Sequence, residues 1–319
     1  MNRGDGGAVR VLVTGGAGFI GANLVRRLLN DGHETGIIDD LSTGFERNLA
    51  GLDVEWHRGS ILDVSTLAGG MRGVDSVVHL AAIPSVPRSV AAPLASHEAN
   101  ATGTLRVLEA AREAGAHVTV ASSSSVYGAN PQLPKVETMA ARPRSPYAVS
   151  KLAAESYAIA WHLTYGLPTI AFRFFNVYGP LQAAGHAYAA VVPAFVDAAL
   201  RGEAVSVHGD GLQTRDFTFV DSVTQILAAA ATGGVTSDIP VNLAFGSRRS
   251  MLDVLDELQS VLDRPVARTH TEPRVGDVRD SQADNSRLLK LFPHATPTPF
   301  RIGLERTVEW AEMSMADGA

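Results

Sequence analysis

The feature that most constrains the fold is the glycine-rich stretch TGGAGFIG at residues 14–21. A short apolar run, VRVLVTG (9–15), leads into it, and such a run predicts a strand that is buried on both faces. The following segment, FIGANLVRRLLNDG (19–32), has apolar residues at helical spacing and a closing glycine that predicts the end of a helix. A strand, a glycine turn and a helix therefore follow one another directly.

Three glycines in this turn have the spacing that dinucleotide binding requires. Gly15 permits the tight turn, Gly18 lets the backbone approach a pyrophosphate, and Gly21 lets the helix pack closely on the strand. The phosphates would then meet the N–H groups at the positive end of the helix dipole. A glycine triplet alone is also typical of ordinary turns, but between a strand and a helix it favours a dinucleotide site.

An acidic pair supports the same site and bears on the choice of cofactor. Asp39 and Asp40 end the second predicted strand, ETGIIDD (34–40). A carboxylate roughly 20 residues after the turn can accept hydrogen bonds from the adenosine ribose hydroxyls. Two carboxylates would repel a 2′-phosphate, and no arginine sits beside them in the sequence. NAD is therefore favoured over NADP, and a solvated loop acid is the alternative reading of Asp40.

Short strands alternate with helices of 10–15 residues through the first half of the chain, and this alternation predicts a parallel sheet built from βαβ units. The second half loses this rhythm. The predicted fold is an α/β, Rossmann-type, doubly wound parallel sheet with a smaller, discontinuous α/β cap. We assign residues 1–175, with a returning segment at about 217–246, to an NAD-binding domain. Residues 176–216 and 247–319 are assigned to a substrate-binding domain.

Composition excludes several classes of function. The net charge of −6 argues against nucleic acid as a partner, because phosphate binding needs clustered Lys and Arg. The chain has no cysteine, which excludes disulfides and thiolate metal sites. We expect a cytoplasmic protein without a membrane partner, since no run approaches the ~18 apolar residues of a membrane span and the polar start lacks a signal peptide's apolar stretch. No metal site is predicted, and His79 is interpreted as a packed strand-end residue.

Hydroxyl groups and a Tyr–Lys pair form the second set of chemical residues. ASSSSVYG (121–128) follows the apolar run HVTV, so its serines are expected at the carboxyl end of a buried strand. SPYAVSK (145–151) places Tyr147 and Lys151 four apart at the start of a predicted helix, on one face. A phenol with a pKa near ~10 is a poor base at neutral pH, and a nearby cation lowers that pKa. A surface helix pair is the alternative reading of this spacing.

The glycine turn, the strand-end serines and the Tyr147–Lys151 pair together resemble the extended short-chain dehydrogenase/reductase superfamily. Within it, the chain is most similar to NAD-dependent nucleotide-sugar epimerases and dehydratases of the UDP-glucose 4-epimerase type. The resemblance covers nearly the whole chain, because it extends in order through DDLSTG, HLAAIPSVPRS, FRFFNVYGP, GDGLQTRDFTFVD and RVGDVRDSQAD.

The resemblance implies a role for each matching residue. Tyr147 would be the catalytic base, Lys151 would bind the nicotinamide ribose, and Ser123 would assist at the sugar oxygen. The residues implied to bind the cofactor are Gly15, Gly18, Phe19, Ile20, Gly21, Asp39, Asp40, Ser42, Thr43, Gly44, Ser60, Ile61, Leu80, Ala81, Ala82, Asn100, Ser122, Tyr147, Lys151 and Phe175. Those implied to bind a UDP-sugar are Ser124, Ser125, Asn176, Val192, His208, Arg215, Arg274, Asp277 and Ser281.

Several of these positions carry an alternative reading or depart from the family pattern. Ser60 stands where many relatives have an aspartate that reads the adenine, which weakens that contact. His208 stands where the family has an aromatic residue against the uracil, and it would stack there instead. For Arg215, Arg274 and Asp277, an ordinary surface charge network is the alternative reading.

The serine run also distinguishes between reactions. Sugar 4,6-dehydratases, which the chain also resembles, carry an Asp-Glu pair at the positions of Ser124 and Ser125, and that pair eliminates water. Serine at both positions favours C4 epimerisation through a transient 4-keto sugar, with tightly bound NAD regenerated at every turnover. The alternatives are a 4,6-dehydratase, a UDP-glucuronic acid epimerase, an oxidoreductase that releases NADH, and a non-catalytic NAD-binding regulator.

The resemblance also bears on substrate and assembly. Ser281 stands where the family lines the N-acetyl pocket, and a bulky tyrosine there is associated with exclusion of N-acetylhexosamines. Serine leaves room for UDP-GlcNAc and UDP-GalNAc, and UDP-glucose and UDP-galactose stay open. Relatives that act on UDP-glucuronic acid often have threonine at the position of Asn176, which weakens that reading. A homodimer is implied, formed by the helix at 100–113 and the helix that carries Tyr147.

Overall fold

The computed structural model of the protein describes residues 7–184, 189–272 and 278–316. Strands and helices alternate through the first half of the chain, as predicted. The strands are β1 (Arg10–Thr14), β2 (Glu34–Asp39), β3 (Glu55–Arg58), β4 (Ser76–His79), β5 (His117–Ser123), β6 (Thr169–Phe174), β7 (Asn176–Tyr178), β8 (Val205–His208), β9 (Thr214–Phe219), β10 (Val241–Leu243), β11 (Arg248–Ser250) and β12 (Arg268–Thr271). The helices are α1 (Phe19–Asn30), α2 (Val64–Gly70), α3 (Val86–Ala91), α4 (Pro93–His97), α5 (Gly103–Ala114), α6 (Pro146–Tyr165), α7 (Val191–Leu200), α8 (Val220–Gly233), α9 (Met251–Leu262), α10 (Ser286–Leu291) and α11 (Phe300–Ala316).

A seven-stranded parallel sheet has the order β10-β6-β5-β4-β1-β2-β3. The chain builds outward from β1 on one side through β2 and β3, and on the other side through β4, β5 and β6. The strand order therefore reverses between β1 and β4, which is the topological switch point where doubly wound sheets bind their ligands. This topology confirms the predicted Rossmann-type fold.

The core of this sheet explains why its strands read as unbroken apolar runs. Leu12, Ile38, Val77 and Val118 are 0% exposed and share one cluster with apolar residues of α2, α5 and α6. Each fully buried Val, Leu or Ile contributes about 1.5–3 kcal/mol to folding. Val11, Leu12 and Val13 of β1 are all 0% exposed, so both faces of this central strand are covered and it shows no alternation with polar residues, whereas the edge strand β3 has exposed polar residues.

The chain divides into two compact units, which we call the first and second units. The first unit comprises Met1–Ser122, Ser145–Phe172 and Thr224–Val241, and the second comprises Ser123–Arg144, Arg173–Val223 and Asn242–Ala319. Compared with the predicted domains, the second unit begins earlier, and the segment that returns to the first unit is shorter. The roles assigned to the two domains stay predictions.

The second unit contains two small sheets, ordered β11-β9-β7 and β12-β8. An aromatic cluster packs beside the larger one: the rings of Tyr178 and Phe300 are 5.1 Å apart, and those of Phe217 and Phe300 are 5.8 Å apart. The Tyr178 hydroxyl donates to the carbonyl oxygen of Phe300 at 3.0 Å. Gly303 permits this packing, since a Cβ there would lie 2.4 Å from the Tyr178 hydroxyl.

The structure departs from the sequence prediction in a few elements. A single strand is predicted over residues 169–179, but the structure divides it into β6 and β7, which pair in different sheets. Strands β9, β11 and β12 were not predicted, and every residue of β12 is exposed, so it has no apolar pattern to recognise. No helix among the described residues is both long and apolar enough to span a membrane.

Candidate active site

The glycine turn joins β1 to α1 in a conformation that only glycine adopts easily. Gly15 has a φ of +73°, and a Cβ there would lie 2.8 Å from the Ala81 nitrogen. A Cβ on Gly21 would lie 2.1 Å from the Gly15 carbonyl oxygen. Helix α1 begins at Phe19, and Gly18 in front of it has no side chain to cap the first-turn N–H groups. These amides suit the pyrophosphate of a dinucleotide.

Asp39 anchors this turn from the end of β2. Its Oδ2 accepts a hydrogen bond from the Ala17 N–H at 2.9 Å, and its Oδ1 accepts one from the Leu41 N–H at 2.8 Å. Burial raises the pKa of this carboxyl, and the two backbone donors oppose that effect. Each oxygen has a second lone pair, so the carboxylate can also accept from a ribose hydroxyl. Asp40 is exposed and accepts from the Ser42 N–H at 2.9 Å.

An arginine lies near the acidic pair in space although none does so in the sequence. Arg58 is opposite Asp39 in the pairing of β2 with β3. Its guanidinium is hydrogen-bonded to the Glu46 carboxylate and lies 4.6 Å from the centroid of the Trp56 ring. The exposed cation is therefore already paired with a carboxylate and stacked on an aromatic ring.

Two loops that were predicted to bind the cofactor pack against the glycine turn. In the loop after β2, a Cβ on Gly44 would lie 2.9 Å from the Ala17 carbonyl carbon, and the Phe45 N–H donates to the Ala17 oxygen at 3.1 Å. In the loop after β4, the Leu80 N–H donates to the Thr14 oxygen at 3.0 Å. The fold therefore assembles these predicted cofactor segments at one edge of the sheet.

Two predicted cofactor residues after β3 make contacts within the protein. Ser60 Oγ accepts the Leu62 N–H at 3.2 Å. Ile61 is 6% exposed and belongs to the main core, where it packs so closely on Gly103 that a Cβ on that glycine would lie 2.5 Å from its Cδ1. A cofactor contact at these two positions stays a prediction.

Asn100 is buried in a π-helical turn that runs into α5, and its amide is fully engaged. Its Oδ1 accepts the Ile83 N–H at 2.7 Å, and its Nδ2 donates to the Ile83 oxygen at 3.1 Å. The second amide hydrogen goes to Ser150 Oγ at 3.0 Å. Asn100 therefore fixes the loop after β4, and a direct cofactor contact by Asn100 stays a prediction.

Tyr147 and Lys151 lie on the first two turns of α6. Ser145 caps this helix by accepting the Ala148 N–H at 3.2 Å. Lys151 is 6% exposed, and its Nζ donates to the Ala121 oxygen at 2.9 Å. Burial lowers the pKa of Lys151 to about 8, so the ammonium is still mostly charged at neutral pH. Tyr147 is half-buried, one helical turn before this charge.

The first serine of the run turns into the interior of the first unit. Ser122 is 2% exposed, and its Oγ donates to Glu155 Oε2 at 2.7 Å. Glu155 lies on α6 one turn after Lys151 and is itself buried. The Ser122 hydroxyl thus ties β5 to the helix that carries Tyr147.

The other three serines belong to the second unit and form a tight turn. Ser123 is the last residue of β5 and the N-cap of a 3₁₀ turn over Ser124–Tyr127. Its Oγ accepts hydrogen bonds from the Ser125 N–H at 3.2 Å and from the Ser125 hydroxyl at 2.8 Å. Ser123, Ser124 and Ser125 are all half-buried. The run therefore caps a turn and leaves a group of hydroxyls at a strand end.

The predicted substrate residues of the second unit lie around β9 and β8. The Arg215 guanidinium donates to the Thr214 oxygen at 2.7 Å, and the Ser281 N–H donates to the same oxygen at 3.1 Å. His208 ends β8, where its Nδ1 lies 2.8 Å from Thr271 Oγ1. The fold thus brings Arg215 and Ser281 together at one backbone group.

Other predicted residues of this unit are positioned separately. Asn176 begins β7, and Phe175 and Val192 are buried apolar residues. The ring of Phe175 lies 6.3 Å from that of Tyr127. Arg274 and Asp277 lie outside the described residues.

His79 is a buried strand-end residue, as predicted, but its hydrogen-bond partners were not foreseen, and three other buried polar residues near the glycine turn and α6 were not singled out. Thr14, His79, Thr104 and Ser150 are each at most 3% exposed, and all have side-chain hydrogen bonds. One signal was present: Thr14 and His79 are polar residues at the ends of apolar runs. Their pairing cannot be read from one sequence, because they are far apart along the chain.

Comparison with known proteins gives consistent matches over nearly the full chain. The model of the NAD dependent epimerase/dehydratase family matches residues 11–244. The chain is 37% identical over 310 residues to UDP-glucose 4-epimerase of Mycolicibacterium smegmatis, which covers 95% of this chain and 98% of that relative. It is 30% identical over 342 residues to a dTDP-glucose 4,6-dehydratase of Escherichia coli, which covers 95% and 92%.

A solved structure is similar over the same range. It is UDP-N-acetylglucosamine 4-epimerase from Methanobrevibacter ruminantium in complex with UDP-N-acetylmuramic acid. The TM-score is 0.92 at 35% identity, and the match covers 97% of this chain and 99% of the other. The likeness therefore includes both units.

Proposed function

We propose that this chain, which belongs to the NAD-dependent epimerase/dehydratase family, is a UDP-hexose 4-epimerase that works through a transient 4-keto sugar. It is an NAD-dependent epimerase, an isomerase, and its cofactor is NAD. The proposal therefore concerns the sugar nucleotide and the chemical route.

The residues of the first unit fit a bound dinucleotide. The uncapped start of α1 and the glycine turn would hold the diphosphate, and Asp39 would accept from the adenosine ribose. When bound, NAD supplies reversible acceptance of a hydride from a carbinol carbon. Lys151 would hold the nicotinamide ribose and keep a positive charge beside the reacting groups.

Proton transfer is assigned to Tyr147. Its phenolate would take the proton of the sugar 4-hydroxyl while C4 is oxidised to the ketone. The charged Lys151, one helical turn away, favours that phenolate. Ser123 would donate a hydrogen bond to the same sugar oxygen. After the 4-keto sugar turns in the pocket, C4 would be reduced from its other face by return of the hydride, and Tyr147 would return the proton to the 4-oxygen, which gives the opposite epimer.

One observation carries the choice of epimerisation over elimination. The chain has serine at both Ser124 and Ser125, where the 4,6-dehydratases that it resembles carry an Asp-Glu pair. In the structure the Ser125 hydroxyl is bonded to Ser123 Oγ at 2.8 Å, and the turn contains no carboxylate. Loss of water from the 4-keto sugar needs an acid and a base. The pair that would supply them is replaced by hydroxyls.

We propose both N-acetylated and simple UDP-hexoses as substrates. Ser281 is half-buried, and its small side chain leaves room for an N-acetyl group. The similar solved structure is named as a UDP-N-acetylglucosamine 4-epimerase, and the similar protein of Mycolicibacterium smegmatis as a UDP-glucose 4-epimerase. Arg215 and Ser281, which meet at the Thr214 carbonyl group, are both proposed to contact the UDP-sugar.

We also propose a homodimer that uses α5 and α6. Helix α6 exposes a set of large apolar side chains, which would be covered by a second copy: Val149, Tyr157, Leu163 and Tyr165. Light scattering should give twice the mass of one chain, and a Val149→Arg variant should give a single mass. A wild-type protein that remains monomeric at micromolar concentration would contradict this assembly.

The function is tested with the purified enzyme and each sugar nucleotide in turn. UDP-GlcNAc and UDP-glucose are incubated separately, and products are resolved by chromatography while absorbance at 340 nm is recorded. The C4 epimer should form without an increase at 340 nm. Tyr147→Phe should be inactive, whereas Tyr157→Phe, a matched control further along the same helix, should retain activity. A 4-keto-6-deoxy product would instead identify a dehydratase, and a rising absorbance would identify an oxidoreductase.

A further inference from the structure

A chain of buried hydrogen bonds runs through the first unit from the end of β1 toward α6. Thr14 Oγ1 lies 2.7 Å from His79 Nδ1, and His79 Nε2 lies 2.9 Å from Thr104 Oγ1. The Thr104 hydroxyl donates to the backbone carbonyl oxygen of Asn100 at 2.6 Å. All four residues are at most 3% exposed. Three elements that are distant in sequence are thus joined through one imidazole ring.

The chain continues from Asn100 to the helix of the proposed base. Asn100 Nδ2 donates to Ser150 Oγ at 3.0 Å, and the Ser150 hydroxyl donates to the Tyr147 carbonyl oxygen at 2.8 Å. Through its other bonds, Asn100 also fixes Ile83 in the loop after β4. The final member of the chain is therefore the backbone of Tyr147 itself.

The donors and acceptors fix one protonation state of His79. Since the Thr104 hydrogen goes to a carbonyl oxygen, Thr104 Oγ1 accepts from His79, and Nε2 carries the proton. Nδ1 is then the acceptor of the Thr14 hydroxyl hydrogen, and Thr14 Oγ1 accepts the Ala81 N–H at 3.3 Å. Every hydrogen in the chain has a partner only when the ring is neutral.

The surroundings also keep this ring neutral. Burial, and then the positive charge of Lys151, lower the pKa of His79 to about 3. The buried groups that face the ring from the neighbouring elements are the hydroxyls of Thr14 and Thr104 and the ammonium of Lys151. A second positive charge beside Lys151 would be unfavourable in this buried region.

The position of the chain in the fold links it to the cofactor site. Thr14 and His79 are the last residues of β1 and β4 and are partners in the sheet register. These strand ends form the topological switch point, and Thr14 directly precedes Gly15. The chain therefore starts at the glycine turn and ends at the first turn of α6, which carries Tyr147.

We propose that His79, as the neutral Nε2–H tautomer, is a positioning residue that fixes the glycine turn against the helical turn of Tyr147. It sets the rate of the reaction without contacting substrate or cofactor. This inference rests on the proposed function, since Tyr147 must be the base for its placement to limit the rate. Small misplacements of reacting groups are sufficient to cost large factors in rate.

A second buried histidine provides a matched control. His117, 6% exposed, begins β5 in the same sheet and is hydrogen-bonded through both nitrogens, to Ser76 Oγ at 3.0 Å and to the Val235 oxygen at 2.8 Å. Burial lowers its pKa as well. It lies at the amino end of its strand, away from the switch point. Replacement of His117 therefore removes a similarly buried imidazole ring but leaves the proposed hydrogen-bond chain from Thr14 to Tyr147 intact.

The decisive experiment is a double-mutant cycle on kcat in the full-length holoenzyme. His79→Phe and Ser150→Ala remove two members of the chain that do not touch each other. Each single variant should lower kcat about 10-fold or more and keep KM within about 3-fold. The double variant should have a kcat only slightly below that of the poorer single variant, because either substitution already breaks the same hydrogen-bond chain. His117→Phe should lower Tm about as much as His79→Phe does, but keep kcat within about 2-fold. Its effect on kcat should multiply with that of Ser150→Ala.

Threonine variants keep the test valid if His79→Phe fails to fold. Thr104→Val has nearly the shape of threonine but removes the hydroxyl, whereas Thr104→Ser retains it. The valine variant should lose kcat as His79→Phe does, and the serine variant should recover most of it. Equal activity of the two variants would overturn the proposal, because a purely steric role is indifferent to the hydroxyl.

A measurement that does not depend on turnover separates failure of this inference from failure of the proposed function. Hydrogen–deuterium exchange should be at least about 5-fold faster in His79→Phe at residues 81–84 and 146–151, and unchanged there in His117→Phe. If the wild-type enzyme epimerises UDP-sugars but His79→Phe retains kcat or exchange is unaltered, the inference is wrong and the function stands. If the wild-type enzyme forms no epimer, the function is wrong, and the proposed effect on rate is overturned with it.

Discussion

The two units hold their candidate site residues in contrasting ways. In the first unit, His79, Asn100 and Lys151 are at most 6% exposed. His79 and Asn100 are hydrogen-bonded to hydroxyl groups, and Lys151 donates to a backbone carbonyl oxygen. In the second unit, the residues around Ser281 are held by surface ion pairs. Asp280 pairs with Arg248 at 2.7 Å, and Arg279 pairs with Asp210 at 2.8 Å.

This difference indicates how chemistry and specificity are divided. A buried, fully satisfied network is intolerant of change, because each lost partner leaves a polar group unpaired. Exposed ion pairs are screened and contribute little to stability, so their segment can vary at small cost. We propose that the first unit fixes Tyr147 and Lys151, and that the segment around Ser281 in the second unit adapts to the sugar. The following predictions test that division.

Removal of the proposed base has the largest expected effect. Tyr147→Phe retains the ring and loses the hydroxyl, so kcat should fall by about 10³–10⁴-fold, at the upper end of general base catalysis. Stopped assays over long incubations measure the residual rate. The Tyr157→Phe variant controls for loss of a tyrosine from α6. A Tyr147→Phe enzyme with more than about a tenth of wild-type activity would remove Tyr147 from the mechanism.

Replacement of the buried cation should separate activity from stability. In Lys151→Met, kcat should fall by about 10²–10³-fold because the phenolate loses its neighbouring charge. The folded pKa of Lys151, about 8, lies below the unfolded value of 10.5, so the charged lysine destabilises the folded protein at pH 7. Lys151→Met should therefore raise the free energy of unfolding by about 2 kcal/mol, after allowance for the lost hydrogen bond to Ala121.

The sign of this effect is checked by pH. Between pH 8 and 10.5 the unfolded chain retains the Lys151 proton that the folded chain has lost, so wild-type stability from this group increases with pH. The difference between Lys151→Met and wild type should narrow over that window in urea denaturation. A variant less stable than wild type at pH 7 would contradict the assigned cost of burial.

Specificity should change through the second unit alone. Ser281→Tyr should lower kcat/KM for UDP-GlcNAc by about 10–100-fold, since a bulky ring would occupy the space for the N-acetyl group, and leave UDP-glucose within about 3-fold. Ser286→Tyr, at an exposed serine of α10, serves as the control. Equal losses on both sugars would indicate a general disturbance of the pocket.

The buried His79 predicts a pH dependence of stability. Its folded pKa, about 3, lies below the unfolded value of 6.5, so from pH 6.5 downward the unfolded chain binds a proton that the folded chain does not. This group lowers the free energy of unfolding by about 1.4 kcal/mol per pH unit in that window. The stability gap between wild type and His79→Phe should shrink from pH 6.5 to 4.5. Parallel stability curves would show that His79 is not buried as a neutral ring.

The smallest effect is expected at an exposed ion pair. Arg279→Ala removes the bidentate contact with Asp210, whose pKa the arginine holds low, at about 2. Both side chains are about half exposed, so Tm should change by no more than about 1 °C. A large loss of stability would show that the second unit is as tightly determined as the first.

The sequence was sufficient to predict the main elements at the start of the first unit. The turn at Gly15, the helix stop near Gly32 and the strand before Asp39 all follow from local rules that need no knowledge of tertiary contacts. The parallel arrangement of the sheet followed from the alternation of strands and helices, whereas the order of its strands is known only from the structure. The approximate positions of Tyr147 and Lys151 on a helix followed from their spacing.

What the sequence could not predict depends on partners that are distant along the chain. His79 reads as a packed strand-end residue, and only the fold joins it to Thr14 and Thr104. The resemblance implies a cofactor contact for Ser122, and only the fold shows that its hydroxyl donates to the buried Glu155. The break between β6 and β7 also escapes prediction, because the apolar run continues through it and two different sheets share it.

The fate of a deuterium label distinguishes epimerisation at C4 from elimination and from net oxidation. The enzyme is incubated with UDP-glucose or UDP-GlcNAc that carries deuterium at C4, and the products are examined by NMR and mass spectrometry. Epimerisation should leave the label at C4 of the epimer, because hydrogen removed from one face returns to the other within one active site. A label transferred to C6, or lost from the sugar, would contradict epimerisation and identify elimination or net oxidation.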